Sequence, residues 1–460
     1  MCGINAVING TFEQVKAMEL ATEKRGVKSF ITHHKNAIVS FNLLPITDET
    51  RDYGRVVYED VVVFCNGFIS NHKELAKKYG FETKTSCDTE VLAMFLHHFN
   101  GQRLNELNGF FSVLYWSDSN GYWSAFTDRY GAKQLYSYKD VKGTEFISSE
   151  VKGLLAVCPE IKFDSFGIED WKTTLGVMNP DTIYFGVKRV EKLPFVVPEK
   201  IKISYKDAKN QLVGLLLQAF ERNKYGGSDG AFLSGGIDSG IIAKWLNPEF
   251  TFSMDYSDEK FSESELIKKN SIGVHYSMIC NKKLAEIYAH KTMYALDDLK
   301  AGSCYTNFAL AELASKFVKV IYSGAGGDEF FGGYPHRKRN PIQNSVCRTD
   351  YGIEFYTEKN LEDWKNQTHF EYDLKFLDAV LVVEDRMSGF HTMETRYPLL
   401  DNDLVDFALS LPDEYTENKR ILKDVSSLHP DVINGKKKGF SNPFFTNDEW
   451  VNFTLKNLKR

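Results

Sequence analysis

The chain of 460 residues has no long apolar run; its apolar runs are short, such as Val61-Val62-Val63-Phe64 and Val380-Leu381-Val382-Val383. A membrane span needs about 20 consecutive apolar residues, so no membrane partner is expected. A basic excess is also missing: 56 Lys and Arg stand against 62 Asp and Glu, for a net charge of -6. That argues against a nucleic-acid partner, which is normally held by a positive stripe. Cysteine is sparse, with seven residues, an odd number, and no CxxC pair. In a chain this long the pattern points to reduced thiols in a cytosol-like, cytoplasmic setting and against a disulfide frame. The opening MCGINAVING has neither a basic stretch nor a long apolar core, so a signal peptide is not expected. Repeats and low-complexity segments are absent from the sequence. What remains is 43% hydrophobic and 26% charged, the balance of an ordinary globular protein. Its length exceeds what one hydrophobic core usually supports, so two domains are expected.

The two halves differ in pattern. Residues 1–204 are rich in short β-type runs bounded by Gly, Asn or Asp: Ile4 to Ile8, Ala37 to Leu43, Val56 to Phe64, Phe110 to Trp116 and Tyr122 to Thr127. Asp88 to His98 reads as helix. Beyond about residue 205, Ala208 to Arg222 places Leu212, Leu215, Leu216, Ala219 and Phe220 at helical spacing. Strand-like pieces then alternate with helical ones: Ala231 to Leu233, Phe250 to Tyr256 and Val318 to Tyr322. Such alternation predicts a parallel sheet with covering helices. From Phe376 onward the pattern is mainly helical. The boundary is placed near 204, after the Pro-containing stretch Leu193 to Lys200, giving domains 1–204 and 205–460.

Cys2 follows the initiator Met. If Met1 is removed, Cys2 carries a thiol and a free α-amine, a nucleophile and a base in one residue. Cys65 to His72 ends a β-type run with Asn66-Gly67. The Asn66 amide and the Gly67 N–H fit an oxyanion hole, though Asn-Gly is equally a hairpin signal. Asp88 opens a helical stretch, where it suits a substrate ammonium group or a plain N-cap.

Cys2-Gly3-Ile4, Asn66-Gly67 with Asn71-His72, and Asp88 to Glu90 recur in this order in class II glutamine amidotransferases, which the front half resembles. The resemblance implies that Cys2 attacks the glutamine amide, that Asn66 and Gly67 hold the oxyanion, and that Asp88 receives the glutamine amino group. Lys24-Arg25-Gly26 is similar to the family's HRGPD segment, with Val27-Lys28 in place of Pro-Asp. Two further departures stand out. Leu43 occupies the position of the Arg that grips the glutamine carboxylate, and Phe68 replaces the acid of NGE. An unpaired carboxylate in a closed pocket is costly. Either another cation, Arg25 or Arg51, takes that place or glutamine binding is weakened or altered; Arg25 joins Asn66, Gly67 and Asp88 in the expected glutamine-binding set.

In the back half, Ala231 to Gly240 runs from an apolar strand through Ser234-Gly235-Gly236 into a helical stretch. Backbone N–H groups at such a turn, with the helix N-terminus behind them, suit an anion. Asp238 is placed to hold Mg²⁺. A Walker A loop is excluded because no GK[ST] follows. The stretch resembles the SGGxDS loop of PP-loop ATP pyrophosphatases, which cleave ATP between the α- and β-phosphates. Ser323 to Tyr334 is similar to SGxGxDExFGGY of the asparagine synthetases. Met387-Ser388 with Glu394 to Asp401, Lys419 to Lys423, and Lys437-Lys438-Gly439-Phe440 resemble their MS…EARxPFLD, KxxLR and KxGF segments. Phe252 to Asp255 fits the strand whose backbone reads adenine. The resemblance implies an ATP site of Leu233, Ser234, Gly235, Gly236, Asp238, Ser239, Met254, Ser323, Gly324 and Lys437, with Mg²⁺ on Asp238 and Asp328. Ala325 stands where asparagine synthetases commonly carry Glu; Glu329, Asp297 and Asp298 are the alternatives.

The resemblance implies an N-terminal-nucleophile αββα sandwich followed by a doubly wound α/β PP-loop domain with a helical C-terminal part. It implies glutamine hydrolysis at Cys2, passage of ammonia inward, and amidation of a small carboxylic acid, aspartate to asparagine, through an acyl-adenylate. Glutamine, ATP and the acid are the expected partners, and a homodimer is left open. A different acid, favoured by Leu43, Phe68 and Ala325, is the first rival. An RNA-directed PP-loop enzyme is opposed by the acidic balance. A non-catalytic binding module is opposed by the joint presence of Cys2, Asp238 and Asp328.

Overall fold

A computed structural model describes residues 1–48, 53–168, 182–297, 304–333, 369–435, 444–445 and 447–458. Among these, residues 1–168, 182–195 and 388–394 gather into one unit, and 196–333, 369–387 and 395–458 into another. The division set at 204 by sequence thus lies nine residues beyond the contact-based one, since 196–204 group with the second unit.

Two antiparallel sheets build the first unit. One has the order β10-β8-β9-β1-β3-β2, with β1 Gly3–Ile8, β2 Lys28–His34, β3 Ala37–Leu43, β8 Tyr136–Lys139, β9 Glu145–Ser148 and β10 Lys188–Arg189. The other runs β4-β5-β6-β7, with β4 Val56–Tyr58, β5 Val61–Ile69, β6 Gly109–Ser117 and β7 Tyr122–Thr127. Every residue of β1, β3 and β6 is buried. Strands of a sheet with one wet face alternate; these do not, because both faces are covered. Phe41 of β3 meets Phe64 of β5 at 6.1 Å between ring centroids, and His34 of β2 sits edge-on to Trp116 and Trp123 at 5.9 and 5.8 Å. The helix Phe12–Ala21 packs on β1 and β3, and Asp88–Phe99 on β4 and β5. Thr11 starts the former with a capping box: its Oγ1 accepts from Gln14 N–H at 3.4 Å and its own N–H donates to Gln14 Oε1 at 2.9 Å.

The run Val56 to Phe64 is not the single strand expected from composition. Glu59 takes a φ of 49°, and Tyr58 pairs with Val61, so the chain reverses within two residues.

The second unit holds a sheet of order β13-β12-β11-β14-β15, with β11 Asp229–Phe232, β12 Phe250–Tyr256, β13 Val274–Cys280, β14 Val320–Tyr322 and β15 Glu394–Arg396. The pairs β12–β13, β11–β12 and β11–β14 are parallel. Helices Ile237–Leu246, Ser264–Asn270, Lys282–Leu296 and Cys304–Ala314 intervene along the chain, as parallel connections require. The expected alternation of strand and helix is what the chain adopts. The helix Tyr205–Asn223 precedes β11, with Ser204 Oγ accepting from Asp207 N–H at 3.1 Å, and the 22-residue helix His369–Phe390 follows later. No described helix is long and apolar enough to cross a membrane.

Candidate active site

In the first unit the residues flagged by sequence collect around the start of β1. Cys2 is 7% exposed. Its Sγ accepts from Leu44 N–H at 3.4 Å, just past the end of β3, which fixes the sulfur against that segment. Behind it, Arg25 Nε donates to the Cys2 carbonyl at 2.8 Å. The Arg25 guanidinium is buried, and Nη1 donates to Glu150 Oε1 at 2.9 Å. Lys152 Nζ lies 2.5 Å from the other oxygen of Glu150. This is a desolvated cation–anion cluster that orders the backbone of the nucleophile. Met1 is also buried, and its α-amine donates to Met393 O at 3.0 Å. Burial pulls the pKa of that amine from 8.0 to about 5, so it is neutral at pH 7.

Asn66 and Gly67 lie inside β5, paired with Ser112 and Phe111 of β6, and form no hairpin turn. Asn66 is fully buried; its Nδ2 donates to Ser112 Oγ at 3.4 Å, while Oδ1 has no hydrogen-bond partner among the described residues. Asp88 is not the N-cap of its helix. Cys87 takes that position, and Asp88 is the first helical residue. Its carboxylate, 2% exposed, accepts from Ile69 N–H at 2.8 Å and from Thr47 Oγ1 at 2.8 Å. The segment from Leu44 to Thr47 therefore runs from the sulfur of Cys2 to the carboxylate of Asp88. Leu43 is buried on β3, and Phe68 packs edge-on to His72 at 5.8 Å. Neither offers a charge.

In the second unit β11 leads through Leu233 into the Ser234-Gly235-Gly236 turn, and Gly236 caps the helix Ile237–Leu246. Leu233 N–H donates to Phe252 O of β12 at 2.8 Å, anchoring the loop to the strand that carries Met254. The loop folds on Ser239, whose Oγ accepts from Ser234 N–H at 3.0 Å, while Gly236 N–H donates to Ser234 Oγ at 3.1 Å. Gly235 N–H donates to Glu263 at 3.3 Å, so an entering anion competes with that carboxylate. Gly324 packs against the same helix start: a Cβ there would lie 2.8 Å from Ser239 N.

Asp238, from that helix, and Asp328, from the short helix Gly327–Phe330, converge on the Lys419 ammonium. Lys419 Nζ is 2.5 Å from Asp328 Oδ1 and bonds Asp238 as closely. Burial opposes its charge, but the attraction of Asp238 and Asp328 outweighs that, and its pKa is raised. Cβ atoms on Gly327 and Gly333 would fall 2.2 and 2.0 Å from oxygens of Asp238 and Asp328, so only glycine leaves room for the two carboxylates there. An all-oxygen pair with a cation already drawn between them suits a hard divalent ion. Ser323 Oγ donates to Glu384 Oε1 at 3.0 Å and accepts from Ala325 N–H at 3.2 Å. Arg51, Asp298, Lys437 and the rest of 436–440 lie outside the described residues.

Sequence reasoning named Cys2, Asn66, Gly67, Asp88, Asp238 and Asp328, but missed Glu150, Thr47, Glu263, Glu384 and the position of Lys419. Only Lys419 had a signal, in the Lys419 to Lys423 segment.

Two family models match the chain: the glutamine amidotransferase domain over residues 1–206 and asparagine synthase over 215–459. A Bacillus subtilis protein named asparagine synthetase [glutamine-hydrolyzing] 1 is 26% identical, covering 98% of this chain and 89% of its own. A Methanocaldococcus jannaschii relative is 28% identical over 73% of this chain and 76% of its own. The Sandersonia aurantiaca asparagine synthetase [glutamine-hydrolyzing] is 24% identical over 96% of this chain and 84% of its own.

Proposed function

Because the chain belongs to the asparagine synthase family, we propose that this amidotransferase converts aspartate to asparagine through an acyl-adenylate, releasing AMP and pyrophosphate. The observation that carries the reading is the meeting of Asp238 and Asp328 at Lys419, beside the Ser234–Ser239 loop. In this reading the first unit is an N-terminal-nucleophile αββα sandwich, supported by the Phe41–Phe64 and His34–Trp116 contacts between its sheets. The second is a PP-loop domain, supported by its parallel strands and the glycine turn after β11.

At the first site, with Met1 removed, the α-amine of Cys2 takes the thiol proton. The sulfur then attacks the glutamine amide carbon, and Asn66 Nδ2 with Gly67 N–H stabilise the oxyanion. Asp88, already oriented by Ile69 and Thr47, receives the substrate ammonium group. Ammonia leaves, and water releases glutamate from the thioester. Arg25 is read as support for Cys2 and not as the grip on the glutamine carboxylate, because Glu150 already neutralises it. At the second site the carboxylate of the acid attacks the α-phosphorus of ATP and pyrophosphate departs. This turns a very poor leaving group into AMP, a good one. Lys419 and the loop amides of Ser234 to Gly236 bind the phosphates, and Met254 lies on the strand that faces adenine. Asp238 and Asp328 would hold magnesium, which would neutralise charge on the departing pyrophosphate.

A second reading keeps this chemistry and changes the acid, favoured by Ala325 where a Glu is common. Cys2→Ala is expected to abolish glutamine-driven amide formation and spare ammonium-driven formation. Asp238→Ala is expected to stop pyrophosphate release with either nitrogen donor. Equal loss of both activities in Cys2→Ala, or continued release in Asp238→Ala, contradicts the two-site assignment.

A further inference from the structure

Ala325 brings no acid to the loop after β14, yet a carboxylate reaches that loop from elsewhere. Glu384, on the helix His369–Phe390, accepts from Ser323 Oγ at 3.0 Å, and the same hydroxyl accepts from Ala325 N–H at 3.2 Å. Glu384 is thus two hydrogen bonds from the backbone of the residue that lacks the acid. The residue is half-buried, and its Oε2 is shielded from bulk water. Other acids of the described residues hold partners of their own. Glu329 turns back to accept from Gly326 N–H at 3.1 Å. Asp297, 4% exposed, lies 3.3 Å from Arg386 Nε, and Asp385, fully buried, lies 3.5 Å from Arg386 Nη1. Asp238 and Asp328 are held on Lys419.

We propose that Glu384 is the carboxylate that takes the proton from the attacking nitrogen in the amidation step, replacing a side chain that position 325 lacks. The inference rests on the amidation reading. The nitrogen lone pair forms the C–N bond to the acyl carbon, and the C–O bond to the AMP phosphate oxygen breaks. AMP leaves with that electron pair, and the proton shed by nitrogen passes to a Glu384 oxygen. Ser323 aims the carboxylate: its hydroxyl holds Oε1 and is itself fixed by the Ala325 N–H. General-base catalysis of this kind contributes about 10²–10⁴ in rate.

The test uses full-length Glu384→Gln with ATP, magnesium and aspartate. One readout is aspartate-dependent exchange of labelled pyrophosphate into ATP, which needs adenylate formation but no nitrogen. The other is ammonium-driven asparagine formation. Exchange should stay within about twofold of the unaltered protein while amide formation falls about 100-fold or more. Adding Ala325→Glu to the variant should restore part of the amide formation. Full amide formation in Glu384→Gln overturns the proposal. So does a parallel loss of exchange, which would mark Glu384 as structural. If the unaltered protein shows no exchange with any of a panel of α-amino and dicarboxylic acids, the amidation reading fails first, and this assignment with it.

Discussion

Gly67 holds a φ of +127°, and a Cβ built on it meets the Phe110 carbonyl oxygen at 2.0 Å. Both facts demand glycine in the middle of a buried strand, where it is otherwise disfavoured. Gly67→Ala is expected to destabilise the protein by at least about 2 kcal/mol, measured by urea denaturation, and to depress glutaminase activity further. Unchanged stability would show that β5 relaxes around the methyl group. The same residue shows how far local sequence reaches. Asn66-Gly67 was legible as special but not as a strand interior, because the partner that excludes a side chain, Phe110, is 43 positions away. Arg25 was legible as a cation near the nucleophile. Its commitment to Glu150 was not, since 125 residues separate the two.

At the scale of elements, three pieces of chain meet at Lys419: the helix carrying Asp238, the short helix carrying Asp328, and the turn before Arg420–Val425. Removing the ammonium leaves two largely buried carboxylates facing each other. Lys419→Met should cost about 3–5 kcal/mol without divalent ions. Magnesium should recover more of that stability in the variant than it adds to the unaltered protein, because the ion and the ammonium answer the same charge. A variant as stable as the original, with no response to magnesium, would contradict this account. His275 of β13 links to β12 through Thr251 Oγ1 at 2.9 Å and Ser253 Oγ at 3.1 Å. Burial holds its pKa below the usual 6.5. The unfolded imidazole therefore binds protons that the folded one refuses, and stability is lost as pH falls below about 6.5. His275→Gln should flatten the fall in urea midpoint between about pH 7.5 and pH 5.5. An unaltered slope would assign the dependence to other groups, His34 among them.

For the whole molecule, the strands that sequence located include β1, β3 and β6, buried along their whole length, and also the partly exposed β7 and β12, all close to where their apolar and aromatic runs lie. Of the strands it passed over, β2, β8, β10 and β13 are partly exposed and rich in polar residues, so their periodicity is weak, while β9 and β15 are largely buried but only four and three residues long. Pairing with a neighbouring strand, and not composition, makes them strands. The loop motifs were legible because close backbone approach and charge restrict residue type. The supporting acids Glu150, Glu263 and Glu384 were not, because any surface helix carries such residues and only the fold selects them. Consecutive use of two chemistries by one chain remains the central claim. It is tested most directly by incubating the protein with ATP, magnesium, aspartate and amide-labelled glutamine and resolving all products. The account predicts labelled asparagine, glutamate, AMP and pyrophosphate in equal amounts. ADP with orthophosphate, or AMP and pyrophosphate formed without any labelled amide, would contradict it.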